Sequence, residues 1–202
     1  MGYYIRVLGT TNPTITVDNL TDALKSERLK ASIEIDEGTP ENWTQLLVKD
    51  NDDRDLFLIE KNEVIDGKLG QGEIEEFKEE IADCKPTSAV KWLLDYFDKV
   101  KVIYAFQILN SVDNDESWNI VGELKNKIWS ETNGIIQADN EGFSNEQGYH
   151  ILWQFNDNVS GPWYMAVKDS SGSFVNFKMD LGDKKQRKDF FDGRVPKGAE
   201  LV

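Results

Sequence analysis

Hydrophobic and polar positions alternate along this chain in a definite order of periods. Tyr3, Tyr4, Ile5, Val7 and Leu8 crowd aromatic and branched side chains into one short segment, which predicts a strand. Leu20, Ala23 and Leu24 follow at helical spacing, with Asp18 as the expected N-cap. Ala31, Ile33 and Ile35 then alternate with Ser32, Glu34 and Asp36, the pattern of a half-buried strand. Apolar runs at 46–48 and 56–59 flank a turn-rich stretch at 50–54 and predict an antiparallel hairpin. Two helices come next. In the first, Ile74, Phe77 and Ile81 fall on one face. The second, over 88–99, stands behind Pro86 with Thr87 or Ser88 as its cap. Val90, Trp92, Leu93, Leu94, Tyr96 and Phe97 cover almost its whole circumference, so it is expected to be buried, either in the core or at a homo-oligomer contact.

The second half repeats that order. A strand is predicted over 102–109. A helix follows, with Trp118, Val121, Leu124 and Ile128 on its stripe and Asp115 or Ser117 at its start. Further strands are predicted over 134–139, 149–155, 163–167 and 174–179, and a short basic helix over 184–191. The expected fold class is therefore α+β: two similar β-α-β-β-β-α halves, 1–99 and 100–202, each an antiparallel meander with helices packed on one face. The short apolar-flanked link at 98–101 predicts that the halves pack as one compact unit. The shared order, with Ile33-Glu34-Ile35-Asp36 against Ile136-Gln137-Ala138-Asp139, suggests an internal duplication.

Composition changes this picture in one respect. The 202 residues include 37 acidic and 23 basic side chains, a net charge of −14. Residues 1–150 hold 30 Asp and Glu against 15 Lys and Arg, whereas residues 151–202 hold 7 against 8. Such a surface repels phosphate backbones and anionic lipid and attracts basic proteins, so neither nucleic acid nor membrane is an expected partner. One cysteine, Cys84, cannot form an internal disulfide. The N-terminal residues show no basic region followed by an apolar one, and no apolar run reaches 18 residues. The expected location is cytoplasmic.

Candidate chemistry is sparse. The acidic run at 50–55 fails the EF-hand pattern: Asp55 stands where the loop needs glycine, and Lys61 where it needs the bidentate glutamate. No metal site and no cofactor are expected. The segment Gly67-Lys68-Leu69-Gly70-Gln71-Gly72 resembles a phosphate loop only superficially, because no Gly-Lys-Ser/Thr ending follows. It reads as a flexible turn before a Glu-rich helix. Cys84 and His150, the lone residues of their kinds, carry no family signature of a nucleophile pair.

What remains is charge. Glu73, Glu75, Glu76, Glu79 and Glu80 share one helix with only Lys78 among them, and Glu75/Glu79 and Glu76/Glu80 are like charges at i, i+4. Together with Asp50, Asp52, Asp53 and Asp55 they form the expected docking surface for a basic protein partner. By composition alone, small acidic proteins without catalytic motifs include toxin-neutralising immunity proteins and nucleic-acid mimics. A non-enzymatic acidic binding protein is thus the first expectation. The alternative is a carboxylate-dependent hydrolase or small-ligand binder on the C-terminal sheet, with Asp139, Glu141, Tyr149 and His150 as its site.

Overall fold

The structure, a computed structural model, describes residues 2–202. Among the described residues it holds five helices and ten strands, the strands forming one seven-stranded and one three-stranded sheet, a mixed α+β architecture. The first half runs β1 (Tyr3–Gly9), α1 (Val17–Ser26), β2 (Ala31–Gly38), β3 (Trp43–Asp50), β4 (Asp55–Glu63), α2 (Leu69–Glu80) and α3 (Thr87–Phe97). The second runs β5 (Val102–Ile108), α4 (Asp115–Thr132), β6 (Gly134–Ala138), β7 (Gly142–Phe143), β8 (Pro162–Lys168), β9 (Phe174–Asp180), α5 (Lys184–Phe191) and β10 (Glu200–Leu201). The chain divides into two compact units, residues up to 72 with 100–134, and residues 73–99 with 135–202. Each unit draws on both halves of the sequence.

The first unit contains five strands of the larger sheet in the order β2-β3-β4-β5-β1, every neighbouring pair antiparallel. Register places Ile5, Phe106, Ile59, Leu46 and Ile35 in one row across these strands. All but Ile35, on edge strand β2, are buried, each contributing about 1.5–3 kcal/mol of transfer free energy. Two residues along, Val7, Tyr104 and Lys61 form the next row on the same face. Helices α1 and α4 cover this unit with Leu20 and Leu24, and with Ile120, Val121, Leu124 and Ile128. Trp118 is not on that buried stripe. It is 42% exposed and meets Tyr3 edge to face, while Ile120 takes the core position.

Neither helix is capped by its first charged residue. Thr16 caps α1, its hydroxyl accepting from Asn19 N while Asn19 Oδ1 accepts from Thr16 N. Asn114 and Ser117 build the same reciprocal box at α4. Asp18 and Asp115 therefore lie in the first turn, where they complement the helix dipole rather than cap it.

The second unit holds the β10-β9-β8 sheet, the β6–β7 hairpin, α3, α5 and α2 from Glu73 onward. Its core gathers Phe155, Met165, Val167, Phe177, Met179, Leu181 and Phe190. A second aromatic cluster fixes α2: Phe77 stacks on Phe97 and meets Phe143 edge-on, with ring centroids 6.1 and 5.3 Å apart. Helix α3 buries Ala89, Val90, Leu93, Tyr96 and Phe97, but its burial is not complete around the axis. Leu94 is exposed, and Trp92 is half-buried against Tyr96 and Phe174. Pro86 occupies the N-cap with no side-chain cap bond from Thr87 or Ser88. The segment 149–155 forms isolated bridges, at His150 and Trp153, instead of a continuous strand. Among the described residues no helix is long and apolar enough to cross a membrane.

Candidate functional site

The two acidic clusters differ in how far their own lysines and arginines neutralise them. The turn between β3 and β4 is built around Asp50. Its Oδ1 accepts the Asp52 and Arg54 backbone N–H groups at 2.9 and 3.0 Å, and its Oδ2 accepts Arg54 Nε at 2.7 Å. The Arg54 backbone N–H above all, with the guanidinium and the Asp52 N–H, holds the Asp50 carboxyl below its ordinary range. Lys49 reaches Glu34 on β2 at 3.0 Å, Asp53 at 3.3 Å and Asp55 at 3.9 Å, and Glu34 first, then Asp53, raise its pKa. Of the four aspartates expected to dock a partner here, Asp50, Asp53 and Asp55 are already committed within the turn.

Helix α2 presents a different surface. Ile74, Phe77 and Ile81 are buried, as their spacing predicts, which turns Glu75, Glu76, Glu79 and Glu80 outward. Lys78 bridges Glu75 and Asp98 at 3.1 Å each, and Glu80 accepts from the Gln154 side chain at 3.0 Å. Glu73 is half-buried at the inner margin of this ridge. Glu76 and Glu79 have no ion-pair partner among the described residues. The ridge is therefore rigid at its base and uncompensated at its crest.

A third cluster lies in the second unit. Asp139 and Glu141 belong to the tight β6–β7 turn, closed by Glu141 N to Ala138 O and by Asn140 in the left-handed region. Gly142, at φ +119°, follows; a Cβ there would strike the Leu152 carbonyl oxygen. The chain returns at His150, whose N–H donates to Tyr164 O and whose carbonyl accepts Ala166 N. These bonds hold the imidazole against Trp163 and Phe155, each ring centroid 5.5 Å away. Trp163 Nε1 donates to His150 Nδ1 at 3.0 Å, so the neutral ring carries its proton on Nε2. Among the described residues that Nε2 is buried without a hydrogen-bond partner, and Glu141 Oε2 stands 3.9 Å away, beyond bonding reach. Burial pushes the His150 pKa down to about 4. Tyr149 turns elsewhere, its ring edge-on to Tyr164. Of the four residues proposed as a ligand site, the geometry thus brings Glu141 and His150 together.

Cys84 and His150 each have other partners: the thiol donates to Glu80 O at 3.7 Å, and burial, reinforced by Glu80 and Asp83, pushes its pKa up. A protonated thiol is a poor nucleophile. Arg187 of the basic helix α5 lies over the Trp153 ring and donates to the Leu181, Asp157 and Val159 carbonyls, which makes it a structural clamp. Among the described residues no group of three or more His, Cys, Asp or Glu is placed to hold a metal ion. Compared with protein-family models, curated proteins and solved structures, the chain matches none.

Proposed function

We propose that this protein is a non-enzymatic binding protein that docks a basic protein partner through the exposed carboxylate ridge of α2. The observation that carries the reading is the pair Glu76 and Glu79, exposed and without a cation among the described residues, on a helix whose opposite face is anchored by Ile74, Phe77 and Ile81. Neutralising such a ridge on contact relieves its self-repulsion, and the long-range field accelerates encounter in a salt-sensitive way. The turn at 50–55 contributes less, because Lys49 and Arg54 already offset it. A nucleic-acid-binding or toxic protein with a basic face is the class of partner that fits, the ridge standing where phosphates would.

The hydrolase alternative is less favoured, because Glu141 would have to work beside an imidazole that burial keeps neutral. The test is affinity capture from the native host at low and at high salt, with the unaltered chain and the Glu76→Gln/Glu79→Gln variant as baits. A basic protein recovered at low salt, released by salt and lost with the variant, is the expected result. Equal recovery on both baits, or no basic protein on either, overturns the reading.

A further inference from the structure

A surface pocket of about 440 Å³ opens in the first unit where the end of β4, the start of β3 and the 67–70 turn converge. That volume falls in the range of small-molecule sites. Lys61 lines it. The ammonium is half-buried, lies 5.9 Å from the centroid of the Tyr104 ring, and has no carboxylate in ion-pair contact among the described residues. Burial lowers its pKa, against an opposing pull from Glu63. In a chain with 14 more acidic than basic groups, a partly desolvated lysine left unpaired is unexpected. Lys49, Lys78 and Lys127 all have carboxylate partners.

Two further features adjoin this space. Tyr104, behind its lining residues, is fully buried, yet among the described residues its hydroxyl has no hydrogen-bond partner. Its ring touches two pocket-lining residues, Trp43 at 5.7 Å between centroids and Lys61, and its hydroxyl feels the charge of Glu63, a third. The N-terminus of α2 also enters the pocket through Leu69 and Gly70, with no acidic side chain in its first turn. Gly70 is required there: a Cβ would come within 2.6 Å of the Glu63 carbonyl oxygen, so only glycine lets the helix start press against the end of β4. The two carboxylates of the pocket do not cancel Lys61. Asn12 and Lys68 hold Glu63 at 3.2 and 3.6 Å, and Glu37 lies on the exposed end of β2.

We infer that this pocket binds a small organic oxyanion, a carboxylate or phosphate monoester, with Lys61 as its cation and the α2 N-terminus as its second positive pole. The glycine-rich turn thus acts as an anion-binding helix start, although it lacks the sequence of a phosphate loop. The ligand displaces no ion pair, since Lys61 has none to lose.

The test uses the full chain labelled with ¹³C at lysine Cε, titrated with inorganic phosphate and, separately, with acetate. Saturable binding is expected to move the Lys61 signal selectively and to raise its pKa, because a bound anion favours the ammonium. Tighter phosphate binding identifies a phosphate ligand, and equal or tighter acetate binding a carboxylate; both support the site. Lys61→Gln should weaken binding at least ~10-fold, whereas Lys99→Gln, outside the pocket, should leave it unchanged. Binding unaltered in Lys61→Gln overturns the inference. So does a Lys61 signal that neither anion moves at ~10 mM, an outcome read on the unaltered protein whether or not the variant folds.

Discussion

His150 is the only histidine in the chain, so its titration can be followed without assignment. Its imidazole accepts from Trp163 and lies between two aromatic rings. Burial of that ring places its folded pKa at about 4. The unfolded chain has an ordinary value of about 6.5. Between those values the unfolded state takes up a proton that the folded state refuses, so stability rises with pH across this window. The contribution is complete above pH ~6.5 and is lost progressively down to about 4. About 2.5 pK units correspond to about 3 kcal/mol, a large share of the ~5–15 kcal/mol that holds most domains together. The perturbation is His150→Gln, which keeps a carbonyl oxygen for the Trp163 N–H but cannot titrate. Urea denaturation at several pH values should show the unaltered protein losing up to about 3 kcal/mol more than the variant between pH 6.5 and 4. The imidazole resonance of the native protein should stay in its neutral position until about pH 4. A midpoint near 6.5, or parallel pH profiles for the two proteins, would refute the buried-neutral account.

Two other outcomes follow from packing and charge. Glu76→Gln/Glu79→Gln removes both like-charge i, i+4 pairs on α2 and should stabilise the free protein by ~0.4–1 kcal/mol, a Tm gain of ~1–4 °C at low salt. The gain should vanish near 1 M salt, where the screening length is about 3 Å; a lower Tm for the variant at low salt contradicts an uncompensated ridge. Phe77→Ala deletes the ring that joins Phe97 and Phe143, and should cost about 3–5 kcal/mol. A thermal melt lowered by less than ~2 °C would show that the cluster does not anchor α2.

Much of the architecture is legible wherever one face of an element is buried and the other is not. The hairpin of β3 and β4 and the buried line Ile74, Phe77, Ile81 follow from period alone. The helix starts are less legible. Asn19 and Ser117 close the capping boxes in place of Glu or Gln, so the usual sequence mark of a box is missing. On α4 the period admits Trp118 and Ile120 equally, and only packing places the isoleucine inside. The segment 149–155 alternates like a strand, but its backbone bonds go to several partners at single residues.

Charge is read least well from sequence, because pairing crosses strands. The acidic turn looks unopposed until Lys49 is seen to sit diagonally across from Glu34 and to reach back to Asp53 and Asp55. The pocket of Lys61 did leave a signal, a glycine-rich turn ahead of a helix, but Trp43 and Thr44 on β3 complete its wall from a distant part of the chain.

Steering of a basic partner by the crest of α2 is tested by the association rate of the captured partner against ionic strength, compared between the unaltered chain and Glu76→Gln/Glu79→Gln. The rate is expected to fall at least ~10-fold between ~20 mM and ~0.3 M salt, with a lower and flatter dependence for the variant. Identical salt dependences for the two proteins would contradict it.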